Sequence, residues 1–215
     1  MEQKHAKFER LLARCRELAP APTAVAHPCD ESSLRGAVKA AEKGIIQPIL
    51  VGPRSKIESV AREFGLDIAP YEIVDADHSH SAAERAVQLV HEGRAELLMK
   101  GSLHTDELMA AIVRSGTGLR TNRRISHCFI MDVPNLDRAI FVTDAAINIF
   151  PTMEDKMHII QNAIDLAHSL GMEKPKVAIL SAMETINPKL QSTIEAGALC
   201  KMADRGQITG GVLDG

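Results

Sequence analysis

The sequence predicts an α/β protein built on parallel strands. Three observations carry this. Through the first half of the chain, short apolar runs alternate with stretches in which apolar residues recur at helical spacing. The connections between those runs are too long for hairpins, so successive strands must run the same way with helices packed on the sheet faces. Glycine and proline stand where the elements should end.

Taken in order, Phe8, Leu11, Leu12, Cys15 and Leu18 form a helical stripe over residues 3–18 that Pro20 and Pro22 close. Thr23–Ala26 is a short strand. His27-Pro28 leads into a helix with Leu34, Ala37, Val38 and Ala41 on one face and Gly44 as its stop. Ile49–Val51 reads as a buried strand ending in Gly52-Pro53. Ser55 and Glu58 have capping-box spacing ahead of a helix whose face is Ile57, Val60, Ala61 and Phe64, closed by Gly65. Tyr71–Val74 is a strand. Ser81 and Glu84 repeat the capping-box spacing, and the helix they open runs to about His91. A strand then enters Lys100, and a helix follows around Leu108, Ala111 and Ile112.

Ser115–Arg124 (SGTGLRTNRR) breaks the rhythm, and a domain boundary falls just after it, giving a first domain over 1–125 and a second over 126–215. Cys128–Val133 and Ile140–Thr143 are strands joined by Pro134-Asn135-Leu136-Asp137, which predicts an antiparallel pair. A Thr152-capped helix carries Met153, Met157, Ile160, Ile164 and Ala167 and stops at Gly171. Val177–Leu180 is a strand and Gln191–Ala203 a helix. Gly211–Leu213 opens a strand that the sequence leaves at Asp214-Gly215, so a continuation past Gly215 is expected.

The stretch Leu97–Thr105 (LLMKGSLHT) is the leading candidate for a site. An apolar strand ends at Lys100, Gly101 and Ser102 make a small-residue turn, and a helix opens near Thr105 and Asp106. That order aims backbone N–H groups and the positive end of a helix dipole at one spot, and Lys100 adds a cation, so the spot suits a phosphate. The glycine spacing of a Walker A loop is absent, and ordinary strand-to-helix turns share the pattern. In open parallel sheets, ligands sit beyond the carboxyl ends of strands, which is where Lys100, Gly101 and Ser102 lie.

Other constellations divide between structural and functional readings. Arg120, Arg123 and Arg124 are either a solvated turn or an anion site, since arginine forks match phosphate oxygens. Thr143 and Asp144 project from a strand end with Asn148 a turn on, as caps or as ligand anchors. Asp75, Asp77, His78 and His80 lack a further histidine or cysteine, which favours a polar loop over a metal site. Cys128 and Cys200 fall in apolar settings that suit packing rather than nucleophilic chemistry.

Composition bounds the partners. A net charge of −3 with 3% aromatic residues and no tryptophan argues against nucleic acid. The polar start Met1–His5 has no signal-peptide core, no stretch is long enough to span a membrane, and the four scattered cysteines form no Cys-x-x-Cys pair. Reduced thiols in a cytoplasmic protein are expected.

Six stretches together resemble one family: MKGSLHTDEL (99–108), GLRT (118–121), ISH (125–127), FVTDAAINIFPT (141–152), NP (187–188) and ALCKMADRGQITGGVLDG (198–215). They are similar to the phosphate acetyl/butyryltransferases, most of all to the butyryltransferase branch and to the acyltransferase half of bifunctional enoyl-CoA hydratase/phosphate acetyltransferases. The resemblance is dense after residue 95 and looser before it. It implies a two-domain fold like that of the isocitrate and isopropylmalate dehydrogenases, with an interdomain cleft. It also implies an acyltransferase that moves a short-chain acyl group between coenzyme A and inorganic phosphate. Acyl-CoA is then a substrate, no cofactor is held permanently, no metal is used, and the protein assembles as a homodimer or larger homo-oligomer.

The matching positions are Lys100, Gly101, Ser102, Thr105, Arg120, Thr143, Asp144, Asn148 and Arg205, which the resemblance implies line the cleft or hold substrate. Two departures stand out. The family's Ser-Arg-Gly stretch and nearby aspartate, held to be central to catalysis, have no counterpart before Gly215, so the catalytic residues and the return to the first domain are expected beyond it. An arginine of the acetyl branch corresponds here to Ala110, with Arg114 a turn later, and its role is not carried over. Two alternatives stay open: a non-catalytic binding or assembly module on the same fold, and a decarboxylating dehydrogenase. The latter would need a carboxylate metal site and a dinucleotide fingerprint, neither of which the sequence displays.

Overall fold

The computed structural model describes residues 6–215. Residues 3–5 of the first expected helix, and the polar start Met1–His5, lie outside the described residues. The chain separates into two compact units, one ending at Thr121 and the other spanning Asn122–Gly215.

The first unit alternates helices and strands: α1 (Ala6–Cys15), β1 (Ala21–Ala26), α2 (Glu31–Glu42), β2 (Ile46–Gly52), α3 (Arg54–Glu63), β3 (Glu72–Asp75), α4 (Ser79–His91), β4 (Leu97–Lys100) and α5 (Thr105–Val113). The four strands form a parallel sheet in the order β3-β2-β1-β4. β1 and β2 are central, and their apolar runs are buried on both faces, as strands covered by helices on either side must be. Side chains alternate across the sheet. Val25 and Leu50 pack with Leu34 and Ala37 of α2 and Ile57 and Ala61 of α3. Ala24, Ala26, Ile49 and Val51 pack with Ala82, Ala83, Ala86 and Leu89 of α4 and Leu108 and Ala111 of α5.

Register decides where a site can form. Ala26 pairs with Val51 on one side and Lys100 on the other, and Gly52 pairs with Asp75. All four strands therefore end at one level. Their exits, His27, Pro53, Ala76 and Gly101, share one edge.

Two expected caps are built differently. α3 begins after Pro53 with no side-chain cap of its own; the Arg54 N–H donates to Asp75 Oδ1 at 2.8 Å, so a carboxylate from the next strand end replaces the expected Ser55/Glu58 box. α4 starts at Ser79, earlier than the Ser81/Glu84 spacing predicts. The Ser81 N–H donates to His78 Nδ1 at 3.1 Å, and the His78 N–H donates to Ser81 Oγ at 3.0 Å. The same contacts place His78 in a helix cap.

The second unit contains β5 (Cys128–Met131), β6 (Ile140–Thr143), α6 (Met153–Ser169), β7 (Lys176–Ala178), α7 (Gln191–Asp204) and β8 (Val212–Asp214). β5 and β6 pair antiparallel, with Asn135 at φ 63° in the connection, a left-handed conformation asparagine tolerates. β7 and β8 pair in parallel. β7 starts one residue earlier and ends two residues earlier than expected, and Leu180 beyond it is exposed. Ile160 and Ile164 of α6, Leu199 of α7 and Ile208 form the core, and the Thr152 hydroxyl caps α6 by accepting the Asp155 N–H at 3.2 Å.

β1 and β4 approach each other closely at Gly101, where a Cβ would run into the Ala26 carbonyl oxygen and stand 2.5 Å from that of His27. Gly101→Ala is therefore expected to destabilise by about 1–3 kcal/mol, the usual cost of forcing extra atoms into a packed site. Urea unfolding checks this; an unchanged midpoint would contradict the close packing.

Candidate functional site

The edge where β1 and β4 end is held by a run of bonds that outlasts the strands. The Gly101 N–H donates to the Ala26 carbonyl and the Ser102 N–H to that of His27, both at 2.8 Å. These two donors, which the sequence pattern offers to an anion, are thus committed to the sheet. Lys100 Nζ turns over the loop and donates to the carbonyls of Gly101 (3.1 Å) and Leu103 (2.7 Å). Thr105 is the first residue of α5 and is exposed. The positive end of α5 is met by Asp106 and Glu107, the charge that a helix start favours. Glu107 also links two helix starts, accepting from the His104 N–H at 3.1 Å and from Ser79 Oγ at 3.1 Å, with His80 Nδ1 at 3.2 Å.

Lys100, Gly101, Ser102 and Thr105 therefore stand together, and the structure adds a neighbour the sequence reading passed over. His27 is at φ 54°, the left-handed region uncommon for a residue with a β-carbon. Its Nδ1 lies 3.2 Å from Ser102 Oγ. Ser102 Oγ donates to the His27 carbonyl at 2.9 Å and accepts from the Cys29 N–H at 3.2 Å. The only signal in the sequence is a histidine at the exit of a buried strand. Burial, then the charge of Lys56, lowers the His27 pKa below its usual value, against smaller raising effects from Ser102, Glu107 and Asp30. Burial pushes the Cys29 thiol up to about 11, which leaves it protonated and unreactive near neutral pH.

In the second unit, Thr143, Asp144 and Asn148 come together at the exit of β6. Thr143 Oγ1 donates to the His127 carbonyl at 2.6 Å. Asp144 Oδ1 accepts the N–H groups of Ala146 and Ile147, each at 2.9 Å, and Oδ2 accepts the His127 N–H (3.2 Å) and the Asn148 amide (2.6 Å). Asn148 in turn donates to the Ile125 carbonyl and accepts from Arg124 Nε, both at 2.9 Å. Partial burial pushes the Asp144 carboxyl upward, but these four donors to its charged form outweigh that and bring it down to about 2.

The arginines separate. Arg123 Nη1 is 3.1 Å from both Asn162 and Asp165 of α6, and Arg124 bonds Asn148 as above. Arg120 belongs to the first unit, is exposed, and makes no side-chain hydrogen bond or ion pair among the described residues. Arg205 is the exposed residue that ends α7. Burial raises the thiols of Cys128 and Cys200, in keeping with packing roles. Among the described residues no group of three or more His, Cys, Asp or Glu is placed to hold a metal ion, and no helix is long and apolar enough to cross a membrane.

Residues 80–215 match the family described as phosphate acetyl/butaryl transferase. The chain belongs to this family. It is 64% identical over 209 residues to a phosphate acetyltransferase of Rhizobium meliloti, covering 97% of this chain and 66% of that one. It is 41% identical over 208 residues to a phosphate butyryltransferase of Clostridium beijerinckii, covering 97% of this chain and 69% of the relative. Among solved structures, a branched-chain phosphotransacylase from Enterococcus faecalis V583 superposes with a TM-score of 0.74 at 28% identity, over 91% of this chain and 67% of that one. The chain spans 60–66% of the length of the phosphate acetyltransferases to which it is more than 50% identical.

The Asp144 network makes a prediction about pH. A carboxyl whose folded pKa is depressed contributes stability above its unfolded pKa and loses it as pH falls through the folded one. Asp144→Asn should lower the unfolding midpoint near neutral pH. The gap to wild type should close between about pH 4 and about pH 2. Thermal unfolding across that range checks it; a gap independent of pH would contradict the role of the charge.

Proposed function

We propose that the protein moves a short-chain acyl group between coenzyme A and inorganic phosphate. The observation that carries this is the 64% identity to a phosphate acetyltransferase along 97% of the chain. Acetyl is the acyl group to assay first. In the direction of thioester formation, a base takes the thiol proton, the sulfur attacks the acyl phosphate carbonyl, and phosphate leaves while nearby cations stabilise the charge that develops.

In this reading the two units are the domains of an isocitrate dehydrogenase-like fold. Lys100, Ser102 and Thr105 serve the phosphate: Lys100 swings its ammonium off the loop carbonyls, and the Ser102 hydroxyl stays a fixed point of the turn. Arg120, exposed and without an ion pair among the described residues, meets an anionic group. Thr143, Asp144 and Asn148 shape the wall of the second unit through the turn they hold together, and Arg205 adds a cation. The four cysteines, all free thiols, suit a cytoplasmic location. Assembly as a homo-oligomer is part of the same proposal.

The test is thiol release from acetyl-CoA and butyryl-CoA, with and without inorganic phosphate, using the protein at its full natural length. Phosphate-dependent release is expected; its absence would favour a binding module. Lys100→Ala should raise the KM for phosphate by about tenfold, the scale of one lost charge-assisted hydrogen bond, and change that for coenzyme A much less. Equal losses for both substrates would remove Lys100 from the phosphate site.

A further inference from the structure

The arginines of the 115–124 stretch differ in what holds them. Arg123 Nη1 is committed to Asn162 and Asp165 of α6, each at 3.1 Å. Arg124 is held as well, but at a different nitrogen. Its Nε donates to Asn148 Oδ1 at 2.9 Å and stands 3.5 Å from Asp155 Oδ1. Nη1 and Nη2 make no hydrogen bond among the described residues, and the side chain is 56% exposed.

The backbone beneath that guanidinium is pinned from two sides. The Arg124 N–H donates to His158 Nδ1 at 3.0 Å, and the Arg124 carbonyl accepts from the Asn162 amide at 2.8 Å, both partners lying on α6. From the exit of β6, the Asn148 amide nitrogen donates to the Ile125 carbonyl at 2.9 Å and to Asp144 Oδ2 at 2.6 Å. Those two acceptors fix which way the Asn148 amide faces, so its oxygen is the atom turned to Arg124.

An exposed arginine is ordinarily free to move, and ordering it costs entropy. Here Asn148 and α6 impose the order before any ligand arrives. A guanidinium fixed at Nε keeps the parallel N–H groups of Nη1 and Nη2, the end that matches two oxygens of a phosphate. A group ordered in advance binds more tightly than a mobile one. Beside Asn148 in the chain, Ile149 and Phe150 are 82% and 93% exposed. Cationic and apolar surface in one stretch suits a long ligand with phosphate groups and an uncharged body better than a small ion.

Resting on the acyl-transfer reading above, we propose that Arg124 binds a phosphate group of a substrate through Nη1 and Nη2, with Asn148 as the positioning residue. In that reaction the phosphate can be the 3′-phosphate of coenzyme A, its pyrophosphate, or the phosphate substrate itself. Ile149 and Phe150 favour coenzyme A.

Calorimetry on the full-length protein with coenzyme A, 3′-dephospho-coenzyme A and inorganic phosphate separates these sources. Arg124→Gln should weaken the ligand that carries the bound group by about tenfold or more, the scale of a lost charge-assisted hydrogen bond. Loss for coenzyme A alone assigns the 3′-phosphate. Equal loss for coenzyme A and its dephospho form assigns the pyrophosphate, and loss for inorganic phosphate alone assigns that substrate. Arg124→Lys keeps the charge without the fork and should recover only part of the affinity; full recovery overturns the two-nitrogen geometry. Wild-type affinity for all three ligands in Arg124→Gln overturns the assignment, as does equal loss for all three with a lowered unfolding midpoint. A wild type that binds none of them and transfers no acyl group overturns the reading beneath it instead. Should the variants not fold, phenylglyoxal labelling of the wild type decides. Arg124 should be modified in the ligand-free protein and spared when coenzyme A or phosphate is present; modification that neither slows overturns the proposal.

Discussion

The close approach of β4 to β1 at Gly101 is the constraint on which the first unit depends. Without a Cβ there, the ladder continues past Ala26 and Lys100, and the chain leaving β1 is gripped by the chain leaving β4. Everything polar at that edge follows from this grip. It places Ser102 under His27, turns the Cys29 N–H inward, and starts α5 with its carboxylates facing α4. The apolar core on either face fixes the strands, but the glycine decides what stands at their ends.

The second unit reaches a similar result by another route. It has no broad parallel sheet to organise its loops among the described residues, so a single carboxylate does so. Asp144 collects donors from His127, Ala146, Ile147 and Asn148, and Asn148 passes the connection to Arg124 and Ile125. A charge with every lone pair engaged is costly to disturb, because removing it strands several partners at once. This explains why Thr143, Asp144 and Asn148 stand together at the exit of β6.

Much of this was legible in the sequence where periodicity speaks directly. The alternation that places Val25 and Leu50 on one face and Ala24, Ala26, Ile49 and Val51 on the other is visible as buried runs bounded by Gly44, Gly52-Pro53 and Gly65. The Thr152 cap and the β5–β6 pair likewise follow from local chemistry. Caps that borrow a partner from elsewhere were not legible: Asp75 reaches Arg54 across 21 residues. The same holds for the candidate site. Lys100, Gly101 and Ser102 announce themselves as a strand-to-helix turn, whereas His27 lies 75 residues from Ser102, and only strand register brings the two together. Nor does spacing reveal that the Gly101 and Ser102 N–H groups are consumed by β1 and its exit.

The proposed function has substrate meet the first unit at the shared exit of β1 and β4. Amide hydrogen exchange with and without coenzyme A and acetyl phosphate tests it most directly. The account predicts slowed exchange concentrated in residues 27–30 and 101–105. Protection confined to other parts of the chain, with those two segments unchanged, would contradict it.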